Sequence, residues 1–517
     1  MPERQTPAAQ DSIVPIATVV VLGAIMTILD TTIVNVALNT LSVDLRASLS
    51  TIQWAATGYL LALAIVIPTS GWASERFGTR RIWTCAVVVF LCGSALCGLA
   101  WSADSLIAFR VLQGLGGGAI MPVGQIILVR KAGPERLARV MSIVGVPMFL
   151  GPILGPVLGG VIIVTLNWHW IFYVNVPVGL FALALAYRVL EHDAAHKPAK
   201  LDVRGLALLS PGLGLIVYGL SEADSAGGIA NLHTLVGLIA GTCLTVAFVV
   251  HASGRGRSAL IDVSLFAKRS FAAGAALMVC FGMSVIGAMI LLPLYYQVVR
   301  GNGVLDAGVM TAFQGVGIVL SMPIAGRLTR RFGAACIVPV GVAIAVVGTL
   351  AFTQVGTGTP YALLAVALVV RGFGLGAMMM PSMTAAYIDL EYEQVPRASS
   401  ALNALQRIGA SFGAAFVAVL LQHELSHISI AGGHSGSTLT VLQTLPHAVR
   451  AGLGGQLAGG FSKTFWAASG LTAVGLIPAL LLPHRRRSQD SLGRSMHGSV
   501  SSGPARARDA DPGLADV

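Results

Sequence analysis

Apolar residues in this chain fall in long unbroken runs rather than in alternation. Such runs recur fourteen times, roughly at 14–36, 52–72, 82–101, 105–128, 140–164, 170–190, 204–221, 232–251, 271–293, 307–327, 335–354, 361–382, 399–421 and 463–483. About 20 apolar residues in a helix cross the hydrocarbon core of a bilayer, and a helix satisfies its own backbone polar groups there. The pattern predicts an all-α integral membrane protein with fourteen transmembrane helices. The first run carries one interruption. In "VVVLGAIMTILDTTIVNVAL" (19–38) the sole charged residue is Asp30, and no other charge lies between Asp11 and Asp44. A charge near the bilayer centre costs roughly 2.5–3.5 kcal/mol on insertion scales. Were the helix to end at Asp30, polar residues should follow; instead "TTIVNVAL" continues the apolar spacing, which places the carboxylate inside the membrane.

Composition agrees with the pattern. Of 517 residues, 55% are hydrophobic and 11% charged, and the mean hydropathy is +0.79, whereas soluble domains carry about 25% charged residues. The formal charge of +11 raises the question of nucleic acid, and its distribution answers it. With the N-terminus cytoplasmic, only Arg46, Arg300, Arg450 and Lys463 fall in outer loops, and Arg110, Arg371 and Arg407 fall within spans. The other 26 of the 33 Lys and Arg residues lie on the inner side. This positive-inside bias accounts for the basic balance without nucleic acid and places both termini in the cytoplasm. Six cysteines (Cys85, Cys92, Cys97, Cys243, Cys280, Cys336) lie in spans and are expected to be buried small hydrophobes, with no disulfide framework or metal-site spacing. No removable signal peptide is expected at the N-terminus.

The chain repeats itself. "GWASERFGTRR" (71–81) is matched by "GRLTRRFGAAC" (326–336), and "RVLQGLGGGAIMP" (110–122) by "RGFGLGAMMMP" (371–381), with offsets of 255 and 261 residues. In each half the first piece follows the second span and the second lies in the fourth. A duplicated six-helix unit with its site near the midplane is a common plan among secondary transporters. The spans then read as six, two and six: a disordered N-terminus (1–12), a first six-helix half (13–190), a linker with two extra helices (191–256), a second half (257–484) with an outer loop at 422–462, and a disordered tail (485–517).

Catalytic patterns fare poorly. A phosphate-cradling Gly-x-x-x-x-Gly-Lys-Ser/Thr loop cannot exist here, because none of the five lysines follows a glycine. An ion gradient is the remaining energy source if one is used. "HELSH" (423–427) has zinc-protease spacing, with His423 and His427 on one helical face and Glu424 as base, but it sits at a span end without a clear third ligand. "GASFG" (409–413) lies inside a span rather than on the strand–turn–helix a nucleophile elbow needs. No strand precedes "GLGGGA" (114–119) or "GFGLGA" (372–377) to make a dinucleotide site. The chain is read as a transporter and not an enzyme, with no cofactor and no metal.

Two stretches suit moving parts. In the 71–81 loop, Gly71 and Gly78 permit tight turns, while Glu75, Arg76, Arg80 and Arg81 place charges where helices meet the cytoplasm, able to pair as an inner gate closes. In the fifth span Gly151, Gly155, Gly159 and the adjoining Gly160 give a smooth face for close packing, and Pro152 and Pro156 interrupt the hydrogen-bond ladder. These residues carry a resemblance. "LDTTIVNVAL" (29–38), "QWAATGYLLALAIVIPTSGWASERFGTRR" (53–81), "RVLQGLGGGAIMP", "GPILGPVLGG" (151–160) and "NWHWIFYVNVPVG" (167–179) are similar, in order, to the signatures of the fourteen-span drug:proton antiporters of the major facilitator superfamily, the QacA/EmrB-like group. The resemblance covers nearly all of 14–483. Asn39, Glu75, His169 and Arg330 depart from it, and Arg330 stands where the second-half loop often has an acid.

The resemblance implies proton coupling through Asp30 and Arg110. The expected function is proton-coupled antiport, exporting hydrophobic small molecules such as drugs or antibiotics across a bacterial plasma membrane, by a monomer whose partners are substrate, protons and lipid. Tyr59, Gln113, Asn175, Gln314 and Asn403 are candidates for the central substrate cavity. The alternatives are a dedicated exporter of one endogenous metabolite or lipid, and, from another class, the zinc protease.

Overall fold

The computed structural model describes residues 13–191, 200–222, 231–426 and 453–483. The described chain is α-helical with no strand. In order the helices are α1 (Ile13–Asp44), α2 (Leu49–Phe77), α3 (Thr79–Gly98), α4 (Ala103–Thr165), the short α5 (Trp170–Tyr173), α6 (Asn175–Val189), α7 (Val203–Glu222), α8 (Leu232–Arg255), α9 (Arg269–Leu294), α10 (Val304–Phe332), α11 (Ala334–Leu350), α12 (Tyr361–Ile388), α13 (Val395–Ser426), α14 (Gly454–Val474) and α15 (Leu476–Leu480). Among the described residues twelve helices are long and apolar enough to cross a membrane. The expected fifth span is the second limb of α4, and the fourteenth is α14 with α15.

Helical backbone runs without a break through the 63 residues of α4, yet α4 cannot be straight. Asp30 touches Arg110, and Thr32, two residues on, donates to the Gly151 carbonyl at 3.3 Å. Residues 110 and 151 would stand about 60 Å apart along one straight helix at 1.5 Å per residue. The chain therefore folds back between them. Its two limbs pack on α1 in opposite senses: Gly124 meets Val20 and Gly23 meets Ile120, whereas Gly151 meets Ile28 and Gly159 meets Ile33.

The internal repeat has a structural counterpart. Gly78 ends α2 at φ 88° and Gly333 ends α10 at φ 85°, both in a conformation that side chains rarely adopt. Each turns the chain directly into the next helix, and the two are separated by the same 255 residues. In the first half Gly114 and Gly118 pack on the backbones of Tyr59 and Leu63; in the second, Gly372 and Gly376 pack on those of Gln314 and Ile318. The contacted pairs are again 255 residues apart.

Ile13 at the chain's start and Leu482 near its end share one hydrophobic cluster. That cluster also joins residues of both halves, including Ile67 and Ile126 from the first and Phe271 and Ala398 from the second. At the opposite end the cores are separate: Leu41, Ile52 and Trp168 group within the first half, and Leu291, Phe352 and Phe461 within the second. Among the described residues the halves thus share a large core at the Ile13 end. The extra pair lies against this seam. Leu220 of α7 packs with Ala415 of α13, Ser210 donates to the Ile65 carbonyl of α2 at 2.8 Å, and Trp54 stacks on Tyr218.

The cysteines depart from expectation. Cys97 and Cys280 are buried, but Cys85, Cys92, Cys243 and Cys336 are exposed, all six as free thiols. An apolar run in a membrane helix has no aqueous side to avoid, so its small residues face outward as readily as inward.

A buried carboxylate fastens the extra pair. Asp202 caps α7 through the Gly205 amide at 3.0 Å, accepts from the Leu260 amide at 3.3 Å, and meets His251 at 2.9 Å and Arg255 at 3.5 Å. Burial alone would raise its pKa; the hydrogen bonds from His251, Gly205 and Leu260 outweigh it and hold the carboxyl below its ordinary range. Asp202→Ala removes a helix cap, worth about 1 kcal/mol (range about 0.5–2), and leaves the His251 and Arg255 donors without their anion. The expected result is a lower melting temperature of the detergent-purified protein, with Asp202→Asn intermediate.

Candidate functional site

Asp30 lies in the middle of α1 and is 1% exposed. Three side chains from two other helices converge on it. Arg110 of α4 donates through Nη1 to Oδ2 at 2.5 Å, Gln113, one turn on, donates to Oδ1 at 2.8 Å, and Asn175 at the start of α6 donates to Oδ1 at 3.3 Å. Asn175 is itself held by Ser94 of α3 at 3.1 Å. A carboxylate with one ionic and two amide donors has its charge well compensated.

Arg110 does not depend on Asp30 alone. Its Nε donates to the Ala55 carbonyl at 3.1 Å, its Nη1 also donates to Gln113 Oε1 at 2.8 Å, and its guanidinium lies over the Tyr59 ring, 4.0 Å from the centroid. The cation therefore keeps two acceptors and an aromatic face if the carboxylate is neutralised.

The second half shows what such an arginine does without an acid. Arg371 of α12 is 2% exposed. Its Nε donates to Thr349 Oγ1 at 3.1 Å, its Nη2 to the carbonyl and hydroxyl of Ser284 at 2.8 and 3.1 Å, and its Nη1 to Gln314. Ser284 stands 254 residues after Asp30 and Gln314 stands 255 after Tyr59, so the pocket is duplicated while the titratable group is not. The sequence placed Arg371 within a span; the fold gives it a pocket of its own in the second half, apart from Asp30.

The glycine face of α4's second limb abuts α1 beside Asp30. A Cβ on Gly151 would sit 2.2 Å from Ile28, and one on Gly155 would sit 1.9 Å from the Thr32 hydroxyl. Gly159 meets Ile33, and Gly160 has open space. The side chains of Pro152 and Pro156 lie outside the described residues. Only glycine allows this limb to approach, and residues 28, 32 and 33 flank the carboxylate on its own helix.

At the Ile13 end the halves are latched. Glu75 accepts three hydrogen bonds from Arg397 of α13, from Nε at 2.9 and 3.3 Å and from Nη2 at 2.8 Å. Beside this pair Gly71 lies under Pro396, Ser70 meets Ser400 at 2.9 Å, Ser399 reaches the Pro122 carbonyl at 3.0 Å, and Asn403 donates to Gln125 at 2.6 Å. Of the loop's other charges, Arg80 donates to the Tyr187 carbonyl at 2.9 Å and covers its ring, Arg76 lies over Phe77, and Arg81 is exposed. Sequence reasoning missed Arg397. Its only signal was a lone cation before the thirteenth span.

The cavity candidates occupy three places. Tyr59, Gln113 and Asn175 belong to the Asp30 cluster, Gln314 to the Arg371 pocket, and Asn403 to the seam at Gln125. Within "HELSH", Glu424 accepts from Lys463 at 2.8 Å, and His427 lies outside the described residues.

Comparison with known proteins follows this geometry. The model of the Major Facilitator Superfamily matches residues 20–414. A protein named multidrug resistance protein B homolog from Mycobacterium tuberculosis is 40% identical over 488 residues, which cover 91% of this chain and 90% of that one. The multidrug export protein EmrB of Haemophilus influenzae is 30% identical, covering 76% and 77%. Among solved structures, the proton:xylose symporter XylE is 16% identical with a TM-score of 0.58, covering 90% and 94%, a likeness of fold. The chain belongs to the Major Facilitator Superfamily and is a multi-pass membrane transporter.

Proposed function

We propose that the protein is a proton-coupled antiporter that exports hydrophobic small molecules, drugs or antibiotics among them, across a bacterial plasma membrane, with both termini in the cytoplasm. One observation carries the reading: a single carboxylate sits sealed in the membrane interior on an arginine that has neutral partners in reserve. Names of relatives given above support drug export, and the positive-inside bias supports the orientation.

In this cycle the described conformation is closed toward the cytoplasm, since the Ile13 end carries the inter-half contacts. A proton from outside converts Asp30 to the neutral acid. Arg110 then leans on Ala55, Gln113 and Tyr59, the α1–α4 junction loosens beside the glycine face, and the halves rock to open inward. Release of the proton inside restores the ion pair. Substrate leaves in the opposite direction, because each orientation binds one of the two better.

Three substitutions test the reading. Asp30→Asn keeps shape and removes titration. It is expected to abolish export driven by an imposed pH gradient in inverted vesicles while expression persists; uphill export at the wild-type rate would overturn the proton role. Glu75→Gln breaks a half-buried bidentate pair. Hydrogen bonds to charged groups contribute about 1.5–3 kcal/mol, so the closed population should fall roughly ten- to a hundredfold. Cross-linking of cysteines placed at 71 and 396 reads that population, and the exchange Glu75→Arg with Arg397→Glu should restore much of it. Gly155→Leu forces a side chain into Thr32. Overpacking costs about 1–3 kcal/mol, and export is expected to vanish while the protein still inserts.

A further inference from the structure

Of the three arginines in the spans, Arg110 has Asp30 and Arg371 has neutral acceptors. Arg407 has neither. Among the described residues it makes no hydrogen bond, ion pair or ring contact, and it is exposed. Yet it does not look out to lipid. Ser399, Asn403 and Arg407 follow one another at intervals of four on α13 and so share a face, and the first two close on Pro122 and Gln125 of the first half. Arg407 continues that face one turn farther from the latch. It lies near Tyr59 of α2, whose ring carries Arg110 on its face. A guanidinium that faces the other half, is enclosed by protein and still meets solvent must line the cleft that opens between the halves beyond Asn403 and Gln125.

The charge balance of that cleft is positive. Asp30 is the one acid of the described span interiors, and it is sealed and neutralised by Arg110. A cationic substrate would therefore meet Arg407 unopposed, and it could reach Asp30 only by dismantling the Arg110, Gln113 and Asn175 contacts. An anion meets the reverse: an accessible planar fork of donors matched to carboxylate geometry, in a cleft whose low-dielectric walls strengthen the attraction, beside an aromatic ring.

We infer that Arg407 is a substrate-binding residue that anchors the negatively charged head of the transported molecule, and that the preferred substrates are lipophilic anions, an aryl carboxylate or phenolate on an apolar body. This rests on the export reading for its physiological sense. Its test does not need transport.

Purified full-length protein is titrated with three fluorescent naphthalene probes of equal size: a carboxylate, its methyl ester and the matching primary amine. Wild type should bind the carboxylate most tightly. Arg407→Gln should weaken the carboxylate at least tenfold and leave the ester within twofold; Arg407→Lys, which keeps the charge, should recover part of the loss. Equal carboxylate affinity in wild type and Arg407→Gln overturns the proposal. So does equal weakening of carboxylate and ester, which would make Arg407 a shaper of the cleft, and so does a wild-type preference for the amine. Proteoliposomes under a pH gradient test export separately. A protein that binds the carboxylate through Arg407 but moves nothing fails the export reading and keeps this one, whereas amine export that depends on Asp30 keeps the export reading and overturns this one.

Discussion

An ionised carboxylate at membrane depth has to be compensated, and much of the first half is arranged around that need. Removing one partner of a buried ion pair costs about 3–5 kcal/mol, because the other charge is left uncompensated. Compensation here requires α1, α4 and α6 to bring residues 30, 110, 113 and 175 within hydrogen-bond distance. Helices with ordinary side chains at their crossings would stand too far apart. Gly23, Gly124, Gly151 and Gly155 leave room there for the side chains of Ile120, Val20, Ile28 and Thr32 on the facing helix. The fold-back of α4 then delivers the arginine with one limb and the glycine face with the other. Any event that changes the charge of Asp30 is thereby felt at the closest helix contacts of that half.

Duplication separates scaffold from chemistry. Both halves keep the buried arginine, the glycine contacts and the positive-φ turn that ends the second helix. They differ where Ser284 takes the place of Asp30. A serine hydroxyl and carbonyl satisfy Arg371 without titrating, so the arginine pocket of the second half holds no acid. The division suits a machine in which one half carries the switch and the other supplies the counter-surface.

Much of this was legible in the sequence. The apolar runs mark the helices because length and composition alone decide whether a segment can reside in lipid. Asp30 stood out for the same reason, as did Arg110 within its own run. What escaped were relations between distant residues. Nothing local links Glu75 to Arg397, 322 positions away, and the partition of the five cavity candidates among three places depends on which helix faces which. The cysteines failed for a different reason: hydropathy places a residue within a span but does not say on which side of the helix it lies. The exposed cation on α13 was visible only as a charge in a span, and its surroundings required the fold.

The nature of the contacts between the halves bears on how they can move. Within each half, large side chains such as Phe90, Trp83, Phe352 and Phe465 interlock in continuous cores. Across the seam, serine, asparagine, glutamine and one charged pair make the polar contacts, within a hydrophobic cluster that joins Ile67 and Ile126 of the first half to Phe271 and Ala398 of the second. A hydrogen bond between membrane helices averages about 0.6 kcal/mol, so several can be exchanged for water at a total cost near that of one bound ligand or proton. Prising apart an interlocked aromatic core costs far more, at about 3–5 kcal/mol for each large side chain lost. The polar part of the seam is therefore cheaper to exchange than the interior of either half. Those polar contacts gather at the end that carries Glu75 and Arg397, so their exchange for water begins at the latch.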